Sequence, residues 1–237
     1  MVNRKIHIGI VTCMWKRHEI FRVFAEGIKR LESKFNITTM VVGSEGKKSR
    51  ELVEKYGFKY IEHPNLPLGK KFNAGLLALQ GTSVDYVMVM GSDDVISSSL
   101  VEKYLAHMTK GVDVIGILDM YVYYVKNKKL YYWGGYGKIR SGEPIGLARC
   151  ISRNVLNKLN WKLWDDKLNK SLDFSMWQKI KGYKRQTINL NISGTFAVDI
   201  KGAISMTAFK KLKMKGVKLT TMRKNLGRKE LLLISKF

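Results

Sequence analysis

Five consecutive apolar residues, Tyr86-Val87-Met88-Val89-Met90, follow Asp85 and stop at once in Gly91-Ser92-Asp93-Asp94. A short run with no polar alternation reads as a strand buried on both faces, the central member of a parallel sheet covered by helices. The flanking sequence agrees. Strands are predicted at 6–12, 37–42 and 59–62, alternating with helices at 19–35, 48–56 and 71–79. The first helix repeats Ile20, Val23, Phe24, Ile28 and Leu31 at helical spacing, and the second ends at Gly57, a residue suited to a helix C-terminus. This alternation predicts an α/β fold: an open, mostly parallel, twisted sheet with helices on both faces and a Rossmann-like first half.

Beyond Lys110 the texture is mixed. A strand is expected at 114–117, then a Tyr-rich stretch at 121–136, a glycine-rich loop at 134–146, and helices at 153–159 and 172–181. The reading is one domain over 1–200, divided near 110, followed by a basic C-terminal extension over 201–237 in which Glu230 is the single acid after Asp199. At 237 residues the chain can bury a substantial core without disulfides. Cys13 and Cys150 are too few and too far apart for a disulfide framework or a zinc module, so a reducing, cytoplasmic setting is expected. No apolar run reaches the ~20 residues of a membrane span, and the N-terminal stretch reads as a strand rather than a leader.

The formal net charge of +24 draws anions of any kind, or covers a solvated surface, and by itself names no ligand. In the C-terminal extension Phe209, Leu212, Val217 and Leu219 interleave with lysines. That pattern suits peripheral contact with an anionic membrane, but a solvated, partly disordered end is the plainer reading and the one expected here.

Adjacent aspartates at the end of a buried strand repel one another and both lose water, so a cation has to compensate them. Mg²⁺ or Mn²⁺, which takes one or two carboxylates together with phosphate oxygens, meets that need. In open α/β sheets the carboxyl ends of the strands are also where ligands gather. A plainer reading makes Asp93 the cap of a helix over 97–107 and leaves Asp94 solvated.

Three segments, taken in order, resemble the inverting glycosyltransferases of family 2, nucleotide-sugar enzymes of GT-A fold. Leu68-Gly69-Lys70-Lys71-Phe72-Asn73-Ala74-Gly75 is similar to that family's Gly-x-x-x-x-Asn-x-Gly segment. Val87 to Asp94 is similar to its strand-end Asp-x-Asp-Asp motif. Gly146 to Arg153, followed by Trp164-Asp165-Asp166 and Leu172-Asp173-Phe174, resembles its acceptor half. The resemblance spans roughly residues 6 to 185 and rests on order and spacing more than on any single motif.

The resemblance implies a donor half over 1–110 and an acceptor half over 111–200. It implies a metal-dependent enzyme that moves a sugar from a nucleoside-diphosphate sugar to a saccharide or lipid-linked acceptor, with Mn²⁺ or Mg²⁺ as cofactor. Asp94 would hold the metal, Asp93 the metal or the donor ribose, and Asp173 would be the general base, the alternative being an acid favoured only by the start of the 174–181 helix. Ser92 and Lys71 would face the donor, and Asn73 would bind it or serve packing and helix capping beside it. Thr12, Arg17, Ser44 and Glu45 would line the nucleotide pocket, with Glu45 standing in for the acids usual after the second strand. Asp166 belongs to the acceptor side of the same comparison. Trp133, Gly135 and Tyr136 form an aromatic and glycine cluster of the kind that stacks on sugar rings, or an ordinary hydrophobic patch.

The chain departs from the pattern in two places. Gly91 replaces the first acid of Asp-x-Asp-Asp, and no histidine follows His107 to serve as a late metal ligand. Asp199 could fill that role, or be a surface acid at a strand end. Trp161, Trp164 and Trp177 are expected in the core. Two further readings compete. One is a basic nucleic-acid-binding protein, for which no binding module is visible. The other is a nucleotidyltransferase making nucleotide sugars, against which Thr12-Cys13-Met14-Trp15 offers no glycine-rich phosphate loop.

Overall fold

The computed structural model describes residues 5–202 and 213–237. Among them, strands and helices alternate through the first half: β1 (Ile8–Cys13), α1 (His18–Glu32), β2 (Ile37–Gly43), α2 (Lys47–Lys55), β3 (Lys59–Glu62), α3 (Leu68–Gln80) and β4 (Tyr86–Val89). These strands pair in parallel in the order β4-β1-β2-β3. On the other side of β4 the sheet continues through β9 (Arg149–Ser152), β6 (Val114–Ile117) and β10 (Arg185–Ile188). Only β9 runs antiparallel to its neighbours, so β6 and β4 point the same way.

The central apolar run behaves as its composition requires. Alternate side chains enter opposite cores: Tyr86 and Met88 pack with Phe21, Phe24 and Ile28 of α1, while Val87 and Val89 pack with Leu76 and Leu79 of α3. Helices therefore cover both faces, α1 and α2 on one side, α3 and α5 (Arg153–Lys158) on the other. Each large apolar side chain so enclosed contributes roughly 1.5–3 kcal/mol. Gly75 lets α3 close on the sheet, since a Cβ there would lie 2.6 Å from Val11 Cγ2 and 2.7 Å from Val42 Cγ2.

A second sheet, which the sequence pattern did not reveal, runs in the order β12-β8-β7-β11-β5. Its members are β5 (Asp94–Ile96), β7 (Met120–Tyr124), β8 (Lys129–Trp133), β11 (Ala197–Lys201) and β12 (Lys215–Val217). The chain crosses from the first sheet to the second within 90–93, between β4 and β5, and then enters α4 (Ser98–Met108). Val122, Val198 and Ile200 of the second sheet share the core that α1 faces.

The stretch past Lys201 corrects the expectation of a solvated extension. β12 pairs with β8, Val217 and Leu219 pack against the core, and α9 (Arg228–Ser235) lies on α1. Glu230, 1% exposed, receives a hydrogen bond from Arg30 Nε at 2.7 Å, and Arg30 Nη2 donates to Ile96 O at 2.8 Å. Phe209 and Leu212 lie outside the described residues. Trp161 and Trp164 are buried and Trp177 packs against the same core, as expected. Both cysteines are free, and burial pushes the Cys13 thiol up to about 12. No helix of the described residues is long and apolar enough to cross a membrane.

Candidate active site

The turn after β4 brings three carboxylates together. Asp94 N donates to Gly91 O at 3.2 Å and Gly91 N donates to Asp94 Oδ2 at 2.5 Å, which folds 91–94 tightly back on itself. Asp94 opens β5 and faces Asp199 of β11 in antiparallel register, while Ile200 N donates to Asp93 O at 2.9 Å. The result is a group in which Asp93, Asp94 and Asp199 each offer an oxygen within 4.8 Å of the others. All three residues are buried, with exposures of 6%, 5% and 8%.

Asp199 is therefore no surface acid. An acid set in Phe196-Ala197-Val198-Asp199-Ile200 was the available signal, because a carboxylate inside an apolar strand has to be compensated. The capping role considered for Asp93 is also set aside: Ser97 caps α4, its Oγ accepting from Leu100 N at 3.3 Å. Gly91 has its own reason. A Cβ there would lie 2.6 Å from Asp93 Oδ1 and 3.1 Å from Asp94 Oδ2, so the two carboxylates occupy the space that a side chain at 91 would need.

Among the described residues, two cations partly answer these acids. Arg17 Nη1 donates to Asp93 Oδ2 at 2.6 Å. The Lys201 ammonium pairs closely with Asp199 and stands 3.9 Å from Asp93 Oδ2. Burial, together with Asp199 and Asp93, still holds the Asp94 carboxyl well above the usual carboxylate range. Burial and the charge of Asp93 push Asp199 up to about 7 against the pull of Lys201. Burial opposes the charge on Lys201, but Asp199 and Asp93 outweigh it and raise the ammonium above its ordinary value. Asp199 Oδ1 is buried without a hydrogen-bond partner among the described residues. Hard oxygen donors, a surplus of negative charge and an orphaned carboxylate oxygen fit a small divalent cation.

Ser92, 2% exposed, sits inside this turn. Thr12 lies near the end of β1 with its Oγ1 buried and unpartnered among the described residues. Glu45, just past β2, accepts from Lys16 N at 2.7 Å and stands 3.4 Å from His18 Nε2, so it fastens the loop that carries Arg17. Ser44 Oγ donates to His63 O at 2.7 Å. Lys71 is 1% exposed and donates to Met14 O at 2.9 Å and Asn65 Oδ1 at 3.2 Å, while burial lowers its pKa. Its charge is held at the end of β1, not on the surface.

Asn73 has the packing role of its two expected ones, and Asp166 is bound to it. Asn73 Nδ2 donates to Trp164 O at 2.9 Å and Asp166 Oδ1 at 2.8 Å, and its Oδ1 accepts from Leu163 N at 3.1 Å and Trp164 N at 3.3 Å. The two form one joint between α3 and the 163–166 loop, and Asn73, bonded through both ends of its amide, keeps neither end for a donor. Trp133, 7% exposed, is also a core residue, its ring edge-on to Tyr136 at 5.1 Å between centroids. Gly135 is required by its backbone: φ is +90° and a Cβ would fall within bonding distance of Leu118 O.

Asp173 opens α6 (Leu172–Ile180). Its Oδ2 accepts from the Tyr136 hydroxyl at 3.3 Å, its carboxylate rests over Gly146, and its carbonyl accepts from Arg149 Nη1 at 3.0 Å. Arg149 is fully buried and stands 3.7 Å from Glu143, which Arg140 also grips, and the Arg140 guanidinium lies 3.5 Å from the centre of the Tyr136 ring. The spacing of charges could not announce this group, because its members come from a loop, a strand and a helix that meet only in the fold. Ile145 N donates to Ile117 O at 2.8 Å, which places Gly146 and Asp173 beside the carboxyl end of β6. The triple-acid group follows the carboxyl end of β4, one strand away across β9. Both groups thus lie on the same edge of the sheet, where open α/β sheets bind their ligands.

Comparison with known proteins agrees with this arrangement. The model of the family described as "Glycosyl transferase family 2" matches residues 10–212. Among solved structures, residues 1–349 of S. aureus TarS superpose with a TM-score of 0.54 at 14% identity, covering 84% of this chain and 59% of that one. The mannosyltransferase PcManGT from Pyrobaculum calidifontis, in complex with GDP-Man and Mn²⁺, superposes with a TM-score of 0.56 at 9% identity, covering 86% and 59%. The chain thus spans 59% of the length of each of these two structures. No curated protein matches the sequence. The nucleic-acid-binding and nucleotidyltransferase readings have no counterpart in the matches described, and with two sheets and flanking helices in a GT-A arrangement the chain belongs to glycosyl transferase family 2.

Proposed function

We propose that the chain transfers a sugar from a nucleoside-diphosphate sugar to an acceptor hydroxyl, with inversion at the anomeric carbon and with the help of Mn²⁺ or Mg²⁺. The observation that carries this reading is the buried group of Asp93, Asp94 and Asp199, whose oxygens converge within 4.8 Å at the carboxyl edge of the sheet. Those three carboxylates would hold the cation, which when bound supplies positive charge against the diphosphate. The PcManGT complex, of the same fold, contains GDP-Man and Mn²⁺ and supports the choice of ligands.

The other residues take roles from their surroundings. Arg17, fixed by Asp93, and Lys71, pinned at the end of β1, bring positive charge to the donor side. Thr12, Ser44, Glu45 and Ser92 border the nucleotide. Asp173, half-buried and accepting from Tyr136, takes the proton from the acceptor hydroxyl as that oxygen bonds to the anomeric carbon and the bond to the diphosphate breaks. Tyr136 and Gly135 shape the acceptor side, where a saccharide or lipid-linked acceptor enters. Attack from the face opposite the leaving diphosphate gives inversion in one displacement.

A thermal-shift series with nucleoside diphosphates, with and without Mn²⁺, tests the ligand reading. One diphosphate should raise the melting temperature only when Mn²⁺ is present, by about 2.7 kcal/mol of stability at a hundredfold excess over its Kd. Asp94→Ala and Asp173→Ala should each abolish transfer in a folded protein, but only Asp94→Ala should remove the Mn²⁺-dependent shift. Turnover that survives in either variant overturns that residue's role.

A further inference from the structure

The acid group holds a cation of the protein's own. We propose that Lys201 is its resident counterion, holding Asp199 and Asp93 when no donor is bound, so that a divalent cation binds well only together with a diphosphate that gives the ammonium a new partner. This rests on the metal reading above and adds to it what decides when the metal enters.

Lys201 and Asp199 are two residues apart on β11, so their side chains leave the same face of the second sheet. Lys201 is 6% exposed, a position a lysine holds only when paired. Its ammonium makes a close pair with Asp199 Oδ2 and lies 3.9 Å from Asp93 Oδ2, the oxygen that also receives Arg17 at 2.6 Å. Two of the three candidate metal ligands therefore already have cations on them. Only Asp94, whose Oδ2 accepts from Gly91 N, has no cation within ion-pairing distance among the described residues.

Formal charge shows why this matters. Among the described residues, three carboxylates face two protein cations. A divalent ion added alone would turn a deficit of one positive charge into an excess of one in a site shielded from water, where unmatched charge is costly. Bound to Asp199 Oδ1, unpartnered among the described residues, it would also draw the charge of that carboxylate away from Lys201 on Oδ2 and weaken the closest pair of the ammonium. A diphosphate entering with the metal removes both penalties, because it brings negative charge and further acceptor oxygens for the ammonium. Lysine suits such an exchange, being a compact charge on a flexible stem. The consequence is ordered loading: weak cation binding to the bare protein and strong binding once the donor arrives.

The test is Mn²⁺ binding to the full chain, read as free Mn²⁺ by electron paramagnetic resonance, first with MnCl₂ alone and then with UDP or GDP. Lys201→Met should bind Mn²⁺ without nucleotide about tenfold tighter than the parent or more, since the competing cation is gone. Lys201→Arg should stay near the parent. With the diphosphate present, the advantage of Lys201→Met should vanish or reverse. A lysine that only supports the fold would instead lower the melting temperature of Lys201→Met and leave its Mn²⁺ affinity without nucleotide unchanged, and that result overturns the proposal. If Lys201→Met does not fold, Lys201→Gln gives the same reading. Parent protein that binds Mn²⁺ with a diphosphate while the variants show no gain without it removes the role of Lys201 alone. Absence of Mn²⁺ binding by parent and variants, with or without a diphosphate, removes the metal reading and this proposal together.

Discussion

Gly146 sits where a side chain would meet the proposed base. A Cβ there would lie 2.0 Å from Asp173 Oδ1 and 2.5 Å from its Cγ. The obstacle is the end of a half-buried side chain, so Gly146→Ala forces the carboxylate aside without opening the core. The expected outcome is a loss of roughly a hundredfold in kcat, the usual consequence of misplacing a reacting group by about 1 Å. The melting temperature should stay close to that of the parent. Unchanged kcat would mean that the position of Asp173 over Gly146 is irrelevant to transfer. The sequence offered Asp173 as a base and Gly146 as part of a motif, but not their contact, because 27 positions and a strand, β9, separate them. Asp199 was legible to a similar degree. Its apolar setting was readable, whereas its pairing with Asp94 depends on a register between β5 and β11 that spans about a hundred residues of chain.

Among the elements, α3 shows what a recurring segment can do besides binding. Asn73 projects from it into the 163–166 loop and bonds with two backbone N–H groups, one carbonyl and the Asp166 carboxylate, all within 3.3 Å. Leu163 and Trp164, whose amides it receives, are buried and have no water to turn to. Asn73→Ala should therefore destabilise the fold by about 2–4 kcal/mol, from buried amides left unpaired and a small cavity, as read by denaturant unfolding. The donor Kd of the variant that remains folded should be close to that of the parent. A stable variant with weakened donor binding would return Asn73 to the donor site. The first-half elements were readable because each carries its own local signal: β3 is found at 59–62 as expected, and α4 lies within one residue of the expected 97–107. The second sheet was not. Two of its strands, β5 and β12, are three residues long, too short for a period to show, and they gain stability only from partners far away in sequence.

Over the whole molecule, 43 basic residues meet 19 acidic ones, so even complete pairing would leave 24 cations without an acid. Three of those acids lie in the buried group beside β4 and another, Glu230, is on the buried face of α9, which leaves still fewer for the surface. Folding crowds this surplus onto one surface, and its self-repulsion opposes the compact state. Where α9 packs on α1 the cations are matched: Lys229 pairs with Glu26, Lys29 with Glu32, and Arg30 with the buried Glu230, with Ile234 in the core beside them. The surplus therefore lies on the rest of the surface. Screening should therefore stabilise the protein. Raising NaCl from about 20 to about 300 mM shortens the Debye length from ~20 to ~6 Å, less than the usual separation of surface charges. Relief of about 1 kcal/mol corresponds to a rise of about 2–4 °C in melting temperature for a chain of this size. Most single-domain proteins of balanced charge shift little over that range, so the sign is informative. A melting temperature that stays flat or falls in chloride would mean that exposed carboxylates, placed among the lysines, already balance the surface locally, and that the excess of cations is spread too thinly to work against the fold.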